Sequence, residues 1–302
     1  CASSPQAGYA GSDVGAPRAT LARVRSDLEA PLAEYALVLS GGASRGAYQA
    51  GVLRFIFHDL APRLGVNAWP KYVSGTSVGA LNGIAAVSQD QPAVARLSST
   101  WQQMKLNDVF ELEAGGLLST VRSLFSPKEG VALLDASPLR RLVSERLPHA
   151  EMRRALDSGA CKAFIVSATE LATGTNVLFT DSADPHLDLK PLPGARVARV
   201  SMTTDHLLAS AAIPLLFPPV QVGSRLYADG GLRQNTPLRP VLKAGARRVL
   251  IVSPHVQVGT EANHPLEGVV PSLPFLAGKS LNALMSDPVE RDLQMARQIN
   301  DV

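Results

Sequence analysis

Residues 35–39 read Tyr-Ala-Leu-Val-Leu, an unbroken apolar run that ends at Ser40 and gives way at once to Gly41-Gly42. A run with no polar position has no solvent face, so it suits a strand covered on both sides. The glycines behind it mark a tight turn, and Ala47-Tyr48-Gln49-Ala50-Gly51-Val52-Leu53 then carries the chain into a helix. The pattern returns along the chain. Tyr72-Val73-Ser74 precedes an apolar helix over 77–88, and Ser137-Pro138 opens a helix with Leu139, Leu142, Val143 and Leu147 at helical spacing. Ala163-Phe164-Ile165-Val166-Ser167 reads as a strand, Thr173-Gly174-Thr175 as a turn into Val177-Leu178-Phe179, and Arg248–Ser253 as another core strand. Alternation of buried strands with helices predicts an α/β fold with a largely parallel sheet.

At 302 residues, 46% hydrophobic and 18% charged, the chain has material for a sizeable core, which excludes a disordered or fibrous protein. Two cysteines exclude a disulfide framework and a Cys-rich zinc module. A net charge of +3 without a dense Lys/Arg run, and aromatics at 5%, argue against nucleic acid as a partner. No stretch of 18 apolar residues exists, and the nearest candidate, Leu207–Val222, is broken by Pro214, Pro218 and Pro219. Residues 1–33, rich in Ala, Gly, Ser and Pro, read as a flexible tether to one folded unit over 34–302. A helix expected from about Asp287 is cut at Val302, as a truncated end would be.

Three short segments carry chemistry. Ser40-Gly41-Gly42-Ala43-Ser44-Arg45-Gly46 lies between a strand and a helix, where backbone N–H groups and the helix N-terminus favour negative charge. The same turn also serves as a plain connection. It is neither a dinucleotide fingerprint, since position 43 is alanine, nor a Walker A loop, since no Lys-Ser/Thr follows. Gly75-Thr76-Ser77-Val78-Gly79 places a serine on a sharp strand-to-helix turn, the setting of a nucleophile or of a small-residue turn under a buried helix. Asp229 stands at a strand end in Leu226-Tyr227-Ala228-Asp229-Gly230-Gly231-Leu232, a pattern also met in ordinary Asp-Gly turns.

A serine hydroxyl needs a base. Of the six histidines (58, 149, 186, 206, 255, 264), His255 or His264 would complete a Ser77, Asp229, His triad in α/β-hydrolase order. Only two evident strands precede the elbow, however, and neither histidine sits in a distinctive motif. The other candidate base is Asp229 itself.

Taken in order, Gly41–Gly46, Gly75–Gly79 and Asp229-Gly230-Gly231 resemble the patatin-like phospholipase family. Ala209-Ser210-Ala211-Ala212-Ile213-Pro214, Phe217-Pro218-Pro219 and Asn235-Thr236-Pro237 add to the likeness, which covers about residues 35–255. The resemblance implies a three-layer α/β sandwich around a central, mostly parallel sheet. It implies a serine lipid acyl hydrolase with a Ser77–Asp229 dyad and no catalytic histidine, metal or cofactor. Gly41, Gly42 and Ala43 would then supply oxyanion N–H groups. Arg45 would steady that loop or meet an anionic group, and Gly46, Gly75, Gly79 and Gly230 would support the turns. The expected partners are a lipid or other acyl ester and a membrane surface; oligomeric state is left open. Ala43 departs from the family's usual third glycine, so a positive φ there would add strain.

Gly116–Phe125 carries Leu117, Leu118, Val121, Leu124 and Phe125 on one helical face, as a lid, a lipid-facing patch or core. Cys161, beside an apolar strand, reads as a buried small hydrophobe. Cys1-Ala2-Ser3-Ser4 resembles the start of a mature bacterial lipoprotein, with Cys1 lipidated at the cell envelope, on the outer membrane or periplasmic face; the bland reading is an arbitrary boundary. Two other functions remain at this point: a non-catalytic lipid-binding lipoprotein of the same fold, and a Ser77, Asp229, His255 hydrolase.

Overall fold

All five residues of Tyr35–Leu39 are buried, as an apolar run without a solvent face requires. The computed structural model describes residues 34–112, 134–187, 189 and 194–254. The tether over 1–33 with Cys1, the Gly116–Phe125 stripe, His255, His264 and the helix expected from Asp287 lie outside the described residues. The strands are β1 (Tyr35–Leu39), β2 (Tyr72–Thr76), β3 (Glu111–Leu112), β4 (Leu134–Asp135), β5 (Ala163–Glu170), β6 (Asn176–Asp181), β7 (Ala195–Arg199), β8 (Val220–Val222), β9 (Arg225–Asp229) and β10 (Arg248–Val252). The helices are α1 (Gly46–Arg54, prolonged by a π turn over Phe55–Leu60 and a last turn at Ala61–Leu64), α2 (Val78–Val87), α3 (Gln91–Gln103), α4 (Ser137–Arg146), α5 (His149–Asp157), α6 (Thr204–Ala211) and α7 (Leu238–Lys243).

Eight strands form one mixed sheet whose main path is β10-β1-β2-β5-β6-β7. Neighbours along that path are parallel except β5 and β6. That exception follows from Thr173-Gly174-Thr175: a connection this short cannot cross over, so the strands must return antiparallel. Side-chain alternation then divides the interior. Leu37, Leu39, Phe164 and Val166 face a larger core with α1, α2 and α6, whereas Ala36, Val38, Ala163 and Ile165 face a smaller one with α7. Helices on both faces of a central, mostly parallel sheet give the expected three layers.

One feature of the topology positions the site. β2 runs parallel to β5 and ends with Thr76 opposite Ser167. β9 runs antiparallel to β5 and ends with Asp229 opposite the next residue, Ala168. With β6 on the other edge of β5, β2 and β9 share one edge and meet C-terminus to C-terminus.

Candidate active site

Ser77 follows β2 directly and takes φ 55° and ψ −128°, outside the usual regions for an L-residue. Such a backbone costs on the order of 1–3 kcal/mol and persists only where the surroundings enforce it. Here Ser210 on α6 does so: its Oγ accepts the Ser77 N–H at 2.8 Å and donates to the Ser167 carbonyl at 2.6 Å. The flanking glycines answer to close packing. A Cβ on Gly75 would lie 2.5 Å from the Gly79 carbonyl oxygen, and one on Gly79 would lie 2.2 Å from that of Leu39.

Asp229 is wholly buried and clamped from three directions. Its N–H donates to the Ala212 carbonyl at 2.8 Å, its carbonyl accepts from Thr169 Oγ1 at 2.9 Å, and its Oδ1 accepts from the Gly231 N–H at 2.7 Å. A Cβ on Gly230 would lie 2.2 Å from the Ser167 carbonyl oxygen, so glycine lets this turn press against β5. Burial pushes the Asp229 carboxyl up to about 7; the Ser77 hydroxyl and the Gly231 N–H pull in the opposite direction. The hydroxyl thus lies near enough to act on the carboxylate, while Oδ2 forms no full hydrogen bond among the described residues. A carboxylate buried with one free oxygen beside a serine hydroxyl is a strong proton acceptor once ionised.

The glycine turn closes the site from the β1 side. Gly41 packs on Ser77, whose Cβ lies 3.3 Å from where a Gly41 Cβ would stand. Of the three donors expected there, Gly41 is already engaged: its N–H donates to the Asn235 carbonyl at 3.1 Å. The N–H groups of Gly42 and Ala43 make no hydrogen bond to a described residue. The turn does impose a positive φ on Ala43, 48°. Left-handed backbone costs alanine about 1–2 kcal/mol, and glycine gives back about half of that by loosening the unfolded chain. Ala43→Gly is therefore expected to raise the melting temperature by about 1–3 °C, measured by thermal unfolding.

A buried relay fixes where this turn sits. Trp101 Nε1 donates to Asn82 Oδ1, Asn82 Nδ2 to Gln49 Oε1 and the Gly46 carbonyl, and Gln49 Nε2 to the carbonyls of Ser40 and Val252. Gly46 leaves room for Val78 and the Trp101 ring. Arg45, next to it, is exposed and makes no ion pair with a described residue.

Three of the four described histidines are engaged elsewhere. His206 caps α6 through Thr203 and sets its ring edge-on against Phe179, His149 reaches the Val143 carbonyl, and His58 pairs with Asp59. His186 is exposed. Among the described residues no group of three or more His, Cys, Asp or Glu side chains is arranged to hold a metal, and no helix is long and apolar enough to cross a membrane. Cys161 is buried with its thiol pushed up to about 12, which makes it a poor nucleophile at neutral pH.

The model of the patatin-like phospholipase family matches residues 37–242. Among solved structures, VipD from Legionella pneumophila is similar at a TM-score of 0.42 and 15% identity. That similarity covers 73% of this chain and 49% of the other, so the chain spans about half the length of that protein. Comparison with curated proteins gives no match.

Proposed function

The chain belongs to the patatin-like phospholipase family, and from that premise we propose that it is a serine acyl hydrolase of lipid esters, with Ser77 as nucleophile and Asp229 as its base. Family membership supports lipid acyl hydrolysis in general. The observation that carries the residue roles is the end-to-end meeting of β2 and β9 on one edge of β5, which sets a strained serine beside a buried carboxylate.

In this reading Asp229 takes the Ser77 proton as Oγ bonds to the ester carbonyl carbon. The carbonyl π electrons move to oxygen, and the N–H groups of Gly42 and Ala43 hold the resulting oxyanion. Each such donor is worth on the order of 3 kcal/mol in the transition state. Collapse of the intermediate breaks the ester C–O bond, and Asp229 returns its proton to the departing alcohol. Water, deprotonated by the same carboxylate, then attacks the acyl-serine, releasing the carboxylic acid and restoring Ser77.

A fluorophosphonate probe tests the nucleophile. The wild type is expected to label covalently at Ser77 and to hydrolyse p-nitrophenyl esters, and Ser77→Ala to do neither. Lipid binding without labelling or turnover in the wild type would instead support a non-catalytic lipid-binding protein.

A further inference from the structure

Asn235 is buried against the glycine turn, and its Oδ1 has no hydrogen-bond partner among the described residues. A buried acceptor without a donor lowers stability, so its persistence calls for a reason. Three buried side-chain atoms among the described residues lack such a bond, and one of them, Arg153 Nε, is ion-paired with Asp157. The other two meet at the candidate site. Asp229 Oδ2 belongs to the proposed base, and Asn235 Oδ1 lies against Gly41, which packs on Ser77.

Asn235 grips Gly41 at three points. Its carbonyl accepts the Gly41 N–H at 3.1 Å, and its Nδ2 donates to the Gly41 carbonyl at 3.5 Å. Its Oδ1 takes the place of a side chain on Gly41, 2.2 Å from where a Cβ would stand. The opposite orientation of the amide would turn Oδ1 against the Gly41 carbonyl oxygen, two acceptors with no proton between them. The segment around Asn235 is itself braced. Ser40 Oγ and Thr236 Oγ1 share a hydrogen bond of 2.8 Å, Thr76 Oγ1 donates to the Gln234 carbonyl at 3.0 Å, and Ser74 Oγ to the Pro237 carbonyl at 2.7 Å. Residues 234–237 thus tie β2, which leads into Ser77, to the turn that follows β1.

The grip matters because of the peptide plane. The Gly41 carbonyl and the Gly42 N–H belong to one planar trans unit and point in opposite directions. A donor on that carbonyl therefore fixes the direction of the N–H, which makes no hydrogen bond to a described residue. We infer that Asn235 is a positioning residue: its side-chain amide holds the Gly41–Gly42 peptide so that the Gly42 N–H meets the oxyanion. The unpaired Oδ1 is then stability given up to keep the amide in place. The inference rests on the acyl hydrolase reading above, and its test separates the two.

The experiment measures kcat and KM on p-nitrophenyl butyrate, per site titrated with the fluorophosphonate probe, together with Ki for an alkyl trifluoromethyl ketone. Ser77 Oγ adds to the ketone carbonyl carbon, Asp229 takes the hydroxyl proton, and the carbonyl oxygen becomes an oxyanion held as in the transition state. Asn235→Ala should lower kcat by about tenfold to a hundredfold at unchanged KM and raise Ki by the same factor. Asn235→Leu keeps the size and branching of the side chain and removes the unpaired oxygen. It should therefore fold even where alanine leaves a void, and show the same kinetic losses. A role in packing alone would lower the number of titrated sites and the unfolding midpoint. It would leave kcat per site and Ki unchanged, because neither depends on how many molecules are folded. Wild-type kcat and Ki in the folded variants, a change confined to KM, or failure of both variants to fold would overturn the assignment of Asn235 while leaving the hydrolase reading intact. A wild type that neither turns over the ester nor binds the ketone would remove both.

Discussion

Asp229→Asn is expected to abolish ester hydrolysis, by about 10⁴-fold or more, and at the same time to stabilise the fold above neutral pH. Asparagine can keep the hydrogen bond from the Gly231 N–H but cannot take the Ser77 proton. In the proposed dyad serine and base act as one unit, so the double variant Ser77→Ala/Asp229→Asn should be about as inactive as either single one. A matching loss in His255→Ala would replace the dyad by the triad of Ser77, Asp229 and His255, in which Asp229→Asn is damaging as well.

The pH dependence follows from burial. With the Asp229 carboxyl titrating at about 7, kcat/KM of the wild type should fall about tenfold per pH unit below that point, as the base becomes protonated. Stability runs the other way. The unfolded carboxyl releases its proton near 3.8, whereas the folded one holds it to about 7, so between those values the native state binds more protons. Native stability must therefore fall as pH rises through that window, by about 4 kcal/mol in all if nothing else titrates. Asparagine removes this loss. Denaturant unfolding should show Asp229→Asn more stable than wild type at pH 8, with the gain shrinking toward pH 4. An equal gain at both pH values would mean that the carboxyl is not held protonated by burial.

The parts of this arrangement legible in the sequence are those written in consecutive residues. Tyr35–Leu39 announces a strand by lacking a polar face, and Ser77 and Asp229 each stand in a short turn pattern that local chemistry explains. What was not legible is written between distant residues. Nothing in Arg225–Asp229 says that it pairs with the last residues of β5, just beyond the end of β2, yet that pairing brings the aspartate to the serine. Ser210 reads as one small residue in an alanine-rich run; its role exists only because α6 crosses both the elbow and β5. The engagement of the Gly41 N–H by the Asn235 carbonyl likewise depends on a contact across the fold, which the order of residues along the chain does not announce. Ala43 is the intermediate case. Its strain was conditional on a backbone angle, and the turn supplies that angle.

Gly79→Ala should be as damaging as any loss of a catalytic group, for a reason that lies in the backbone. The added Cβ would stand 2.2 Å from the Leu39 carbonyl oxygen and 2.8 Å from that of Ser40. Neither is the tip of a flexible side chain that can swing away; both belong to the end of β1 and the start of the glycine turn. Relief requires α2 and β1 to separate, which should cost about 3 kcal/mol or more of stability. The same separation moves the Gly42 and Ala43 N–H groups away from Ser77, and a shift of ~1 Å costs about a hundredfold in rate even in molecules that stay folded. Gly51→Ala is the internal control. It lies within α1, its Cβ would meet nothing within 4 Å, and alanine is the better helix former by about 1 kcal/mol, so this variant should be slightly more stable and fully active. Denaturant unfolding with turnover per folded molecule separates the two effects. A Gly79→Ala enzyme with wild-type stability and rate would mean that the elbow and the glycine turn are not held together by this contact.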